Sequence, residues 1–341
     1  MSDIFLSYIV PCYKVERYLP KCIESLACQS IPDGEIEFIM VNDGSPDGCL
    51  DLICRFAKED KRVVVVNQEN SGVSVARNNG TRAARGKYLF YLDGDDCLDV
   101  NASRMIYDAC GKEPDIVVSN AWYVYENNND LMVEWNPCGD LSPGLYTRDA
   151  FVKSVKCLPS SIKAYKRDLV VGNDIYFDVD LKTGEVFTFF IHCLCHASNV
   201  AFIQERTLYY LQRNNSAMSS INPDNDANIF STLNIIDHYA DQLMPQLKVC
   251  DSYRTGVLSL ANSFGFLKYS ASSRINNSIL SFLKKMKMNP VYRRLLKEIV
   301  FKCGSFDRNY VYSFLILCFP VRLAYFIFRL KNMLFKSVRH R

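Results

Sequence analysis

Four apolar runs of strand length punctuate the first hundred residues, and each ends abruptly in polar or turn-forming residues. Phe5–Val10 runs into Pro11-Cys12-Tyr13, and Ile36–Val41 into Asn42-Asp43-Gly44-Ser45-Pro46-Asp47-Gly48. Val63–Val66 runs into Asn67-Gln68-Glu69-Asn70-Ser71-Gly72, and Tyr88–Leu92 into Asp93-Gly94-Asp95-Asp96. Between the runs the apolar residues change to helical spacing: Val15, Tyr18, Leu19, Cys22 and Leu26, then Leu50, Ile53, Cys54 and Ala57. That recurrence marks one buried face of a helix. Ser45 followed by Pro46 reads as the N-cap and first residue of the second helix. Continuously apolar strands alternating with helices predict an α/β fold with a parallel sheet covered on both faces. Such sheets bind ligands beyond the carboxyl ends of their strands. Tyr13, Asp43 and Asp93 are therefore predicted to converge on one rim.

The last run gives that rim its chemistry. Carboxylates crowded together without a basic neighbour repel one another, and a fold keeps them close where a cation sits between them. Their oxygens are hard ligands suited to Mg2+ or Mn2+, ions that commonly accompany phosphate. An isolated Asp-Gly-Asp-Asp reads as a solvated turn after an edge strand. Three upstream runs aimed at the same rim turn it into a site.

Composition fits this reading and adds a second region. The chain has 341 residues, 49% of them hydrophobic, enough for a large core and a further unit. Fourteen cysteines show no disulfide-framework spacing, and no charged-then-apolar leader opens the chain. A reducing cytoplasm with buried, inert thiols is the expected setting. From Lys284 to Arg341 there are 14 Lys and Arg against Glu298 and Asp307, so a net charge of +3 hides a +12 tail on a −9 body. Ile229, Leu233 and Ile236, then Leu258, Phe264 and Leu267, then Ile279 and Leu283, suggest several helices in this part. Asn309–Val321 gives 13 residues without a charge before Arg322 interrupts, and Leu323–Phe328 adds six more. A membrane span needs about 20 apolar residues, and a central arginine costs about 2.5–3.5 kcal/mol on insertion scales. Two readings remain for the tail. It forms an in-plane helix on an anionic membrane surface, at the inner face of the plasma membrane, or it packs on the body with its basic face in water. The basic stretch carries no recognisable nucleic-acid-binding motif, so no nucleic acid is expected.

Taken together, Val10-Pro11-Cys12-Tyr13-Lys14, Val41-Asn42-Asp43-Gly44-Ser45, Asn70-Ser71-Gly72-Val73-Ser74-Val75-Ala76-Arg77-Asn78 and Asp93-Gly94-Asp95-Asp96 resemble the inverting family-two glycosyltransferases. The similarity resumes at Lys163-Ala164-Tyr165-Lys166-Arg167, continues through Ile175-Tyr176-Phe177 to Gly184-Glu185, and fades after about Ser219. It implies a GT-A, Rossmann-like, mostly parallel sheet with helices on both faces, over residues 1–220. Residues 1–100 would be the nucleotide-binding half and 101–220 the acceptor half. Residues 221–341 would form a helical C-terminal region with the basic tail. The implied donor is a nucleotide-sugar, UDP by family habit, and the acceptor a hydroxyl of a glycan or lipid-linked glycan in surface-polysaccharide assembly. Pro11 and Tyr13 would line the base pocket, and Asp43 would accept a hydrogen bond from the base. Asp93 would hold the ribose or reach the metal through water. Asp95 would ligate a divalent cation, Mn2+ or Mg2+, with Asp96 beside it. Arg77 would add positive charge near the nucleotide, while Gly72 and Gly80 would permit close backbone packing.

Two positions depart from the family pattern. Its general base is the Asp of a Glu-Asp pair that follows a glycine, and here Gly184-Glu185 is followed by Val186. Glu185 is the candidate base, with Asp178 and Asp180 as alternatives; its other reading is a first-turn acid of the following helix. A chain that keeps the fold and binds nucleotide-sugar or glycan without turnover is the rival reading. Leu211 stands where relatives carry arginine after a tyrosine pair, and Arg213 falls where a cation often helps hold the diphosphate, on a segment expected to form a loop over the donor. His192 and His196 lie one helical turn apart, but a closed zinc site needs four placed ligands, so a packed helix is the expected reading. Trp122, Tyr123, Tyr125 and Trp135 are candidates either for stacking an acceptor sugar or for the core. A nucleotidyltransferase would need a glycine-rich loop near residue 10, and a dinucleotide enzyme a Gly-x-Gly-x-x-Gly after the first strand. Neither is present.

Overall fold

The computed structural model describes residues 4–29, 31, 36–126, 131–136, 138–155, 162–213, 229–243, 257, 277–302, 316 and 321. The first expected run becomes β1 (Leu6–Cys12), followed by α1 (Leu19–Ala27), β2 (Ile36–Asp43), α2 (Cys49–Glu59), β3 (Val63–Gln68), α3 (Val73–Ala83) and β4 (Tyr88–Tyr91). β1 and β2 are buried along their whole length, as strands with helices on both faces must be. β3 forms the edge and is only partly covered.

Strand alternation sends neighbouring residues to opposite faces, and the packing follows it. Tyr8, Val10, Phe38 and Met40 share one core with Leu19, Cys22 and Leu26 of α1 and Ile53 and Phe56 of α2. On the other face α3 lies so close that a Cβ on Gly80 would come within 2.4 Å of Ile9 Cγ2. Gly80 thus serves packing, as expected.

The sheet continues through β5 (Cys97–Leu98), β6 (Ile116–Tyr125), β7 (Leu131–Trp135), β8 (Gly144–Thr147), β9 (Lys163–Lys166) and β10 (Asn199–Gln212). Its order is β3-β2-β1-β4-β9-β6-β10-β5, with β7 on β6 and β8 on β10. The strands of the first half pair in parallel. Beyond β4 the sheet is mixed: β9 runs antiparallel to both β4 and β6, while β6 and β10 pair in parallel. The mostly parallel expectation thus describes the first half alone. Helices α4 (Ala102–Ala109), α5 (Arg148–Ser154), α6 (Arg167–Gly172) and α7 (Glu185–His196) complete this part.

Three local expectations are corrected. α1 starts at Leu19, not near Val15, because Pro20 suits a first turn while Tyr18 and Leu19 donate to Val15 O in a separate turn. α2 starts at Cys49 after Gly48. Ser45 is no helix cap: its hydroxyl accepts from Lys14 N at 2.8 Å and donates to Asp47 at 2.5 Å, tying two loops together. Leu208–Gln212 is no loop either, since it continues β10 in register with Ala121–Tyr125 of β6.

The chain divides into two compact units, residues 1–155, 159–180 and 185–214, and residues 156–158, 181–184 and 215–341. The second unit contains helices Ile229–Leu243, Asn277–Met288 and Pro290–Lys302. They bury Leu233, Ile236, Leu283, Leu295 and Leu296, and Arg294 pairs with Asp237. Leu258, Phe264, Leu267 and the basic tail from Arg322 onward lie outside the described residues. Among the described residues, no helix is long and apolar enough to cross a membrane.

Candidate active site

The loops after β1, β2, β3 and β4 meet at one rim, as the alternation predicted. Lys14 N donates to Ser45 Oγ, and Glu16 N to Asp47 Oδ2 at 3.1 Å, joining the first two. Asp43 joins the second to the third. Its Oδ1 accepts from Gln68 Nε2 and Ser71 N at 2.8 Å each, and its Oδ2 from Gly72 N at 3.0 Å. Asn70 Nδ2 adds a bond to Asp43 O at 3.0 Å. Gly72, with φ of 92°, precedes α3 in a conformation that disfavours side chains. The fourth loop passes against the first: a Cβ on Gly94 would lie 3.2 Å from Pro11 O. Pro11 is buried within β1, and Tyr13 stands just beyond it, 41% exposed.

Asp93, Asp95 and Asp96 bring one carboxylate oxygen each to within 4.8 Å of one another. Burial and the neighbouring Asp93 push the Asp95 carboxyl up to about 6. They outweigh Arg213, whose Nη2 lies 2.6 Å from Asp95 Oδ2. Burial, Asp95 and Asp93 likewise hold Asp96 well above its ordinary range, although Leu211 N donates to its Oδ1 at 2.8 Å. That bond comes from the backbone, so the departure at Leu211 removes nothing the contact needs. Arg213 also lies over the Tyr18 ring at 5.1 Å. Oxygen ligands that resist sharing a partly buried space suit a divalent cation, so the donor set fits the implied metal.

Arg77 is enclosed, 4% exposed, on the inner side of α3. Its Nη2 donates to Asp93 Oδ1 at 2.8 Å and its Nη1 to Glu185 Oε1 at 3.1 Å. Burial works against its charge, but the two carboxylates prevail and raise its pKa. Its Nε is enclosed without a partner. Glu185 is the first residue of α7, so the first-turn position and the place beside the site are the same place. Asp178 belongs to a turn in which it accepts from Asp180 N at 2.9 Å.

Asn78 ends the family-like Asn70–Asn78 stretch, and its sequence context implies no role for it. Its Nδ2 donates to Phe177 O and its Oδ1 accepts from Phe177 N, both at 2.8 Å. An asparagine in a helix interior, where its side chain competes with the backbone, was the available signal. The histidine pair sits on α7 with ring centroids 5.3 Å apart. Burial and then His196 push His192 down to about 4. Among the described residues, only the acidic trio groups three ligands. Tyr123 stacks on Trp135 at 5.2 Å, half-buried, while Trp122 carries Arg206 at 4.8 Å. A cavity of about 560 Å3, lined by residues including Glu37, Arg62 and Arg85, lies at the opposite, amino ends of the strands and includes none of the candidate residues.

The family model Glycosyl transferase family 2 matches residues 7–171, which include β1 to β4 and the acidic trio. Residues 7–171 belong to glycosyl transferase family 2. The uncharacterized glycosyltransferase EpsJ of Bacillus subtilis (strain 168) is 32% identical over 219 residues, 62% of this chain. The match spans 62% of EpsJ, about three fifths of that relative's length. The structure of Staphylococcus aureus TarS 1–349 in complex with UDP-GlcNAc superposes with a TM-score of 0.66 at 19% identity, over 96% of this chain and 89% of that one. A mannosyltransferase from Pyrobaculum calidifontis, in complex with GDP-Man and Mn2+, gives 0.51 at 12% identity, over 87% of each chain. These likenesses show the shared fold. Poly(ribitol-phosphate) transferases are also among the sequence relatives.

Proposed function

We propose that this protein transfers one sugar from a UDP-sugar, with inversion, to a hydroxyl of a glycan or lipid-linked acceptor in surface-polysaccharide assembly. The observation that carries the reading is the acidic trio at the carboxyl rim of a family 2 sheet, with the buried Arg77 paired to Asp93 and the partly exposed Arg213 paired to Asp95. The TarS complex with UDP-GlcNAc and the mannosyltransferase complex with Mn2+ support the donor class and the metal. Tyr13 offers an exposed ring to the base above Pro11. Asp43, saturated by Gln68, Ser71 and Gly72, shapes the loop around that base. Asp93 keeps its second oxygen for the ribose, while Arg213 faces the diphosphate.

Asp95, with Asp96 behind it, would hold the divalent cation, which when bound supplies Lewis-acid stabilisation of the departing diphosphate. Arg77 orients Asp93 and Glu185 by one oxygen each. The other oxygen of Glu185 is left to take the proton of the attacking hydroxyl, a contribution of about 10²–10⁴-fold for a placed general base. The nucleophile attacks the anomeric carbon opposite the leaving UDP, so the configuration inverts.

Val186 motivates one second reading, a binding protein without turnover. Nucleotide release from UDP-glucose and UDP-N-acetylglucosamine with Mn2+ and a mixed glycan acceptor pool separates the two. The transferase reading expects release that depends on acceptor, with Val186→Asp changing it less than tenfold. No release from the native chain, and release gained in Val186→Asp, would establish the binding-only reading.

A further inference from the structure

Arg77 and Asn78 are adjacent on α3, and both point at the segment that carries the acceptor-side acids. Asn78 closes a two-bond ring with the backbone of Phe177, immediately before Asp178, while Arg77 holds Glu185 at the start of α7. All three partners of this clamp are enclosed or nearly so: Asn78 is 5% exposed, Phe177 3% and Arg77 4%. The Phe177 ring supports the guanidinium at 5.2 Å and lies flat on Phe189 of α7 at 4.1 Å with an interplanar angle of 1°. Tyr91, two residues before Asp93, meets both rings edge-on at 4.9 and 5.4 Å. Its hydroxyl is 2.8 Å from Thr81 Oγ1, which in turn donates to Arg77 O at 2.9 Å. The donor-side end of β4, the middle of α3 and the first turn of α7 are thus locked into one body.

We propose that Arg77 and Asn78 are a positioning pair for the acceptor-side carboxylates, and that neither touches the nucleotide. The Asn78 amide nitrogen and oxygen are both engaged by one backbone unit, and the residue is enclosed, so it is turned away from a ligand. The guanidinium is bonded through both Nη groups to two carboxylates, and its Nε is enclosed. Its planar fork can bridge two acids at once, as a lysine ammonium cannot. The pair fixes Glu185 from one end of the 177–185 segment and Asp178 from the other, so the device serves whichever of the two takes the proton. This inference rests on the transferase reading above; the clamp itself does not.

The test compares Asn78→Ala, Asn78→Asp and Arg77→Lys with the native chain. Three quantities are measured: UDP affinity with Mn2+, kcat and donor KM for nucleotide release from UDP-sugars, and hydrogen exchange of residues 176–186. A displacement of this segment by about 1 Å is expected to lower kcat roughly tenfold to a hundredfold. In the two Asn78 variants donor KM and UDP affinity should stay within about twofold, the pattern of a lost transition-state contribution. Arg77→Lys, which also releases Asp93, should instead lower kcat and weaken UDP binding together. Exchange across 176–186 should rise. Asn78→Asp keeps the bond from Phe177 N but cannot donate to Phe177 O, so it should fall between native and Asn78→Ala. It carries the test if the alanine variant does not fold. Weaker UDP binding with kcat intact would make the pair nucleotide contacts and overturn the proposal, as would unchanged exchange. A native chain that binds no UDP would instead sink the transferase reading, while the exchange comparison would still decide the clamp.

Discussion

Asp43 ends β2 and Asp95 follows β4, with only β1 between those strands, yet the two acids are built in opposite ways. Asp43 is surrounded by donors: Gln68, Ser71 N and Gly72 N. Asp95 is surrounded by acids, with Arg213 as its one bonded cation among the described residues. A carboxylate saturated by backbone N–H groups contributes shape, and one crowded by its own kind has unmet demand for positive charge. On the proposed reading, the comparison separates residues that make the pocket from residues that bind in it.

Removing each acid should therefore fail differently. Asp95→Ala is expected to lower metal-dependent nucleotide release by about a hundredfold or more, the scale of losing a Lewis-acid contribution of several kcal/mol, with the fold intact by circular dichroism. Equal release from the variant would place the cation elsewhere. Asp43→Ala should cost about 1–2 kcal/mol of stability, because Gln68 Nε2 and the part-buried bonds from Ser71 N and Gly72 N lose their acceptor. A denaturant melt reads this directly, and a variant as stable as the native chain would show that water replaces Asp43 freely.

The smallest effect is in pH and has opposite signs at the two kinds of acid. Burial opposes the Asp47 charge, but bonds from Ser45, Cys49 and Glu16 N bring it down to about 2. Its folded value lies below its unfolded one, so its stabilisation is present above about pH 4 and is lost as pH falls through about 2. Asp95 is raised to about 6, so the fold favours its protonated form and loses that advantage as pH rises from about 4 through 6. Asp95→Asn should raise the melting temperature by a few degrees at pH 7 without metal and leave it unchanged at pH 4. Asp47→Asn should lower it at pH 7. Shifts of the same sign would erase the distinction.

What could be read from sequence follows the same division. The strands, the helix alternation and the rim were legible because hydrophobic period and turn residues are local signals. Asp93, Asp95 and Asp96 were legible because like charges in a row need a reason. The fate of Asp43 was not, since its partners come from residues 68–72, and nothing local tells a pocket acid from a ligand acid. The place where α2 begins was misread because Ser45-Pro46 has cap chemistry that the fold uses to join loops instead. The mixed second half was hidden because β9 and β10 pair with strands far away in sequence. Asn78 passed without a role because its partner, Phe177, lies ninety-nine residues on.

The central claim is tested most directly by titrating UDP into the native chain and into Asp95→Ala, each with and without Mn2+, in a calorimeter. The account predicts that Mn2+ tightens UDP binding at least about tenfold, roughly 1.4 kcal/mol, in the native chain and not in the variant. UDP affinity that ignores both the ion and Asp95, or a preference for ATP or NAD over UDP, would contradict it.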